Sequence, residues 1–105
     1  MSATSNFDLK ALAQYGDKRH SQIVTDSDEA RLVLFSLQDG QQVRGRGEPR
    51  VHMLAIEGEG ELWAGDEVVK ATAGTMIACD ADMEHGARAA EGSKFLVLGI
   101  ITPRP

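Results

Sequence analysis

The sequence lacks most of the features that announce a partner or a compartment. A single cysteine, Cys79, excludes an internal disulfide framework and suits a reducing compartment. No apolar run approaches the ~20 residues that a membrane-spanning helix requires. The opening "MSATSNFDLK" has neither the basic segment nor the apolar stretch of a secretory leader. Basic residues are in the minority, 11 against 16 acidic ones, and the formal net charge of -5 argues against nucleic acid as the main partner. No glycine-rich phosphate loop is present, because "RGRGEPR" lacks both the lysine and a strand–helix context. No serine occupies a nucleophile elbow either. The expectation is a cytoplasmic protein with no nucleic-acid and no membrane partner.

What is present is a chain of 105 residues, 42% hydrophobic, which suits one structural domain with an ordinary core. "FDLKALAQY" (7–15) has apolar residues near helical spacing and Gly16 behind it, so it predicts one short N-terminal helix. The rest is punctuated differently. "SQIVT" (21–25), "ARLVLFSL" (30–37), "RVHMLAIE" (50–57), "GELWA" (60–64), "EVVKAT" (67–72), "GTMIAC" (74–79) and "SKFLVLGII" (93–101) are short runs rich in β-branched and aromatic residues. "QDG", "EGEG", "GDE", "TAG", "DADMEHG" and "AAEGS" between them are turn signals. Many short strands at this spacing define an all-β protein, a sandwich or a small barrel. Residues 1–29 would hold the helix and first strand, 30–101 the barrel, and 102–105 a tail.

Two stretches carry chemistry. "VRGRGEPRVHML" (43–54) gathers Arg44, Arg46 and Arg50 beside Glu48 and His52, and "GTMIACDADMEHGARA" (74–89) ends near His85. Their order resembles the cupin family, over roughly residues 30–101. The second cupin motif runs glycine, five residues, proline, one residue, glycine, two residues, histidine, three residues, asparagine. Here Gly74 opens it and His85 falls on the histidine, whereas Asp80, Asp82 and Ala89 replace the proline, the glycine and the asparagine. The first motif runs glycine, five residues, histidine, one residue, histidine, three or four residues, glutamate, six residues, glycine. Counted forward from Gly40, its histidines fall on Arg46 and Glu48 and its glutamate on His52, with Gly58 one residue early. Counted back from Gly58, the glutamate falls on Val51. A one-residue slip exchanges the two faces of a strand, and both faces are apolar here. Forward counting keeps the ligand end of the motif intact, so His52 is expected to face inward.

The resemblance implies a double-stranded β-helix, or jelly-roll, barrel with the site between the 44–52 segment and His85. Three functions stand open. In the first, Glu48, His52 and His85 hold a divalent metal (Fe, Mn, Zn or Ni), as in a metal-dependent oxygenase or isomerase. Arg46 cannot be a ligand, since guanidinium offers no lone pair. In the second, the barrel binds a small organic anion. Arg46 and Arg44 would supply charge, and Trp63 would join Met53, Leu54, Ile56 and Met76 in the apolar lining. In the third, the chain is a non-catalytic dimerisation or regulatory module without a ligand. A homodimer is expected, because either register leaves an apolar outer face that invites a second copy, and it is compatible with all three. Cys79, with no histidine beside it in sequence, reads as a small buried hydrophobe.

Overall fold

A computed structural model describes residues 5–47 and 50–103. Among them, strands β1 (His20–Asp26), β2 (Arg31–Gln38), β4 (Val51–Glu57), β7 (Met76–Cys79) and β9 (Lys94–Ile101) form one antiparallel sheet, ordered β1-β2-β9-β4-β7. Strands β3 (Gln42–Gly45), β5 (Gly60–Ala64), β6 (Glu67–Ala71) and β8 (His85–Ala89) form a second, ordered β3-β8-β5-β6. The sheets face each other as a double-stranded β-helix, the jelly roll that the strand pattern predicts.

The inner layer is built from alternate residues. Phe95, Val97, Met53, Ala55, Leu37 and Ile77 of the first sheet meet Leu62, Ala71, Ala87 and Ala89 of the second, all buried. The first sheet is also covered on its outer side. Leu34, Leu96 and Leu98 are buried there against Leu9, Leu12, Tyr15, Val24, Leu54 and Ile56. Strand β9 is therefore buried on both faces, which is why "FLVLGII" is continuously apolar rather than alternating. Burying an aliphatic side chain of this size contributes about 1.5–3 kcal/mol, so the outer layer is a real part of the core.

That layer comes from the chain's own N-terminal segment. The predicted helix shrinks to α1 (Leu9–Leu12), with the Asp8 carboxylate accepting from the Ala11 N–H at 3.2 Å and Ala13 already extended. The rest of 7–15 is fixed by its contacts with the sheet rather than by helical hydrogen bonds. The Gln14 N–H donates to buried Ser36 Oγ at 3.0 Å, and Gln22 Nε2 donates to the Leu12 carbonyl at 2.8 Å. Gln38 and Gln41 both donate to the Gly16 carbonyl, at 3.0 and 2.8 Å. Burial, with the charge of Glu57 adding to it, pushes the Tyr15 hydroxyl pKa up from its ordinary 10.0. Much of the apolar outer face expected to invite a second copy is thus covered from within. Met76 and Ala78 on β7 remain exposed.

The phase of β4 corrects one expectation. Val51, Met53 and Ala55 are buried in the inner layer, whereas Leu54 and Ile56 pack in the outer one. His52 shares the outer phase and does not face the interior. The phase follows from pairing: Val51 and Met53 stand opposite Ile101 and Gly99 of β9 and opposite core residues Cys79 and Ile77 of β7, and a bulge between Ala55 and Glu57 separates this stretch from the turn at Gly58. The frame with Val51 inward is the one the chain adopts. Val51→Asp should therefore lower stability by at least about 3 kcal/mol in a denaturant titration, and His52→Asp by roughly 1 kcal/mol or less. Equal costs would contradict this phase.

Candidate functional site

His85 opens β8, the strand at the middle of the second sheet, and lies cross-strand from Gly45 on β3 and Ala64 on β5. It shares its phase with Ala87 and Ala89, which point into the core, and is only 8% exposed. Its Nδ1 lies 3.4 Å from the carbonyl oxygen of Met83. A carbonyl can only accept, so in the tautomer with its proton on Nδ1 the ring donates across this contact and Nε2 is the acceptor nitrogen. The Cys79 thiol reaches the same Met83 carbonyl at 3.4 Å and the Asp80 carbonyl at 3.6 Å. It is buried and ties down the turn that delivers the imidazole.

With the strand phase fixed, the first motif can be placed on the structure. Val51 occupies the glutamate position and Gly58 closes the motif on time; with three residues between histidine and glutamate the two histidine positions fall on Gly45 and Gly47, and with four they fall on Arg44 and Arg46, which are exposed and offer no lone pair. Gly45 lies opposite His85, where a ligand would have to stand. With the shorter spacing, three of the four positions that hold metal in the resembled family thus carry glycine, glycine and valine, none of which offers a donor side chain. His52 is on the outer face, and Glu48 lies outside the described residues. Among the described residues no group of three histidine, cysteine, aspartate or glutamate side chains could hold a metal ion. The residues present do not fit the expected centre.

The missing side chains leave space. A cavity of about 180 Å3 opens between the sheets at this end, walled by Val33, Phe35, Val43, Val51, Met53 and His85. Gly45, Gly99 and Ile101 complete it. Its wall is apolar apart from the imidazole and the edge of Arg44. A larger hollow of about 530 Å3 lies at the other end, over Glu61, Lys70 and Arg88. That hollow is an open surface feature whose basic side chains are exposed, and it makes a poorer binding site.

The expected ligand residues are only partly brought to the cavity. Arg44 touches it, but its phase on β3 matches outward-facing Gly86, and its guanidinium lies 5.8 Å from the centre of the Trp63 ring. Trp63 is on the outer face of the second sheet, does not line the cavity, and packs on Gly86 so closely that a side chain at 86 would overlap the indole. Arg46 is 69% exposed, and its Nη2 is 4.0 Å from Glu84, which also faces Arg44 at 3.9 Å. Arg50 reaches Asp80 at 3.5 Å. These are solvated rim pairs, each worth roughly 0–1 kcal/mol. Of the expected lining, Met53 takes part, whereas Leu54 and Ile56 belong to the outer layer and Met76 is exposed.

Arg31 escaped the sequence reading. It stands at the start of β2 in the same phase as Val33, Phe35 and buried Leu37, so it is directed toward the inner side at the cavity end. Its signal was available in "DSDEARLVLFSL": an arginine in step with an apolar alternation, facing Asp26 across a hairpin.

A jelly roll of two facing antiparallel sheets with a histidine on β8 at the mouth defines the double-stranded β-helix class. The chain is 30% identical to the protein TT1209 of Thermus thermophilus over 97% of its own length and 100% of the other, with a TM-score of 0.88. It is 25% identical to an RmlC-like cupin of Desulfovibrio desulfuricans over 96% and 98% of the two chains, with a TM-score of 0.85. A double-stranded β-helix protein of Klebsiella pneumoniae superposes with a TM-score of 0.84 at 17% identity, over 97% and 92%, a likeness of fold alone. Neither a family model nor a curated protein sequence matches. The chain belongs to the cupin superfamily. No helix among its described residues is long and apolar enough to cross a membrane.

The contact between Trp63 and Gly86 is directly testable. Trp63 is the single tryptophan, so Gly86→Ala should shift the emission maximum to the red as the ring is displaced, at a cost of roughly 1–3 kcal/mol in stability. An unchanged spectrum would place the indole elsewhere.

Proposed function

We propose that the chain binds a small organic molecule in the cavity beside His85, without a metal ion. The observation that supports this reading is the replacement of donor side chains by Gly45, Gly47 and Val51, which leaves an apolar chamber with one imidazole in its wall. Its volume, about 180 Å3, is slightly larger than the ~150 Å3 engineered cavity that stays dry and takes up benzene. The occupant is accordingly a single-ring or short branched-chain compound. Its apolar body would pack against Phe35, Met53 and Ile101, and one polar atom would meet the imidazole. Nε2 accepts in the neutral ring, and the protonated ring would donate instead. The imidazole thus orients either a hydroxyl or an acidic group.

For a ligand of eight or nine heavy atoms, a Kd on the order of 0.1–1 mM is expected from ordinary ligand efficiencies. Titrating tag-free protein with benzoate, benzamide and benzyl alcohol, followed by the His85 ring signals in NMR, should give saturable shifts for at least one compound. Val51→Phe, which fills the chamber, should weaken that binding at least tenfold. Elemental analysis of the same protein should find well under one equivalent of metal. No saturable shift with any of the three, or stoichiometric metal, would overturn the reading.

A further inference from the structure

We infer that Arg31 anchors a carboxylate on the molecule in this chamber, an inference that rests on the function proposed above. On β2, Arg31 is the next inward position beyond Val33, which walls the cavity, and it lies level with Ile101 and, through it, with Val51, which also wall it. It does not itself wall the chamber but is the next inward position beside three residues that do.

The guanidinium is incompletely used. Its Nη2 lies 3.3 Å from Asp26 Oδ2, longer than the roughly 2.7–2.9 Å of a strong charge-assisted bond. Its Nε is shielded from solvent and has no hydrogen-bond partner among the described residues. A buried donor without an acceptor is costly and seldom kept, and a ligand oxygen at the mouth would supply the acceptor. Asp26 holds one side of the guanidinium, so the group is oriented before a ligand arrives and little side-chain freedom is lost on binding.

Charge selects an anion over a neutral carbonyl. Guanidinium stays protonated throughout the accessible pH range, and a hydrogen bond from it to a carboxylate is about twice as strong as a neutral one. Four of the chain's seven arginines, Arg31, Arg44, Arg46 and Arg50, lie at this end, and two of them share the single carboxylate of Glu84. The end is rich in guanidinium on a molecule of net charge -5. A compact acid with an apolar body fits both parts of the site: the body fills the chamber and the carboxylate meets Arg31 Nε, with His85 reaching the ligand from the opposite sheet.

The test compares benzoate with benzamide, which have nearly the same shape but differ in charge, on the unmodified protein by calorimetry and by the His85 ring shifts. Benzoate should bind at least tenfold more tightly. In Arg31→Gln, shown to be folded by circular dichroism, benzoate should lose at least tenfold in affinity while benzamide changes less than twofold. Arg46→Gln should leave the preference intact. Equal binding of the two compounds to the unmodified protein, or undiminished benzoate binding by folded Arg31→Gln, would overturn the role of Arg31 and leave the chamber itself standing. Absence of binding by either compound and by benzyl alcohol would overturn both.

Discussion

The structure depends on the direction of one strand's side chains. In a pleated strand neighbouring residues point to opposite faces, so the pairing of β4 with β9 and β7 decides what its residues can do. Val51 and Met53 stand opposite Ile101 and Gly99 on one side and Cys79 and Ile77 on the other. With those partners, Val51, Met53 and Ala55 enter the core and His52 does not. The same step of one residue carries the motif's histidine positions from Arg46 and Glu48 to Gly45 and Gly47. A ligand-rich reading of the sequence thereby becomes a ligand-poor site in the fold.

Small residues then decide what the interior contains. Gly45 and Gly99 contribute no side chains to the mouth, and Val51 contributes a short one, so the two sheets enclose a chamber rather than a metal shell. At the other end the same interval is filled by Leu62, Phe95 and Val97, each buried completely. The space between the sheets is therefore filled at the end beneath the open surface hollow and left as a chamber at the His85 end. His85 stands where the two regimes meet, held by the Met83 carbonyl and by the turn that Cys79 ties down.

The sequence made the jelly roll legible because seven of the strands carry β-branched or aliphatic runs between clear turn signals. The two it concealed are β3 and β8, the strands that build the site. "QVRG" and "HGARA" are short and poor in large apolar residues, since Gly86 must admit the Trp63 ring and Gly45 faces the imidazole. Close packing at these small residues removed the pattern that would have announced them. Clustering in sequence drew notice to Arg44 and Arg46, which lie at the rim, Arg44 by its phase on β3 and Arg46 just beyond that strand, while isolated Arg31 lies in phase with the core. The N-terminal helix was overestimated because Leu9, Leu12 and Tyr15 have helical spacing but are held by the sheet they cover. The inward, buried position of His85 was legible because its residue type and its position in the motif agree.

The account's central claim is the inward phase of Val51. A methyl-labelled NOE experiment addresses it without any substitution. The prediction is cross-peaks between the Val51 and Ile101 methyl groups and between the His52 ring and Ile100, which are paired across β4 and β9 on opposite faces. A cross-peak joining the His52 and His85 rings would contradict it, because those imidazoles could then meet at one metal ion.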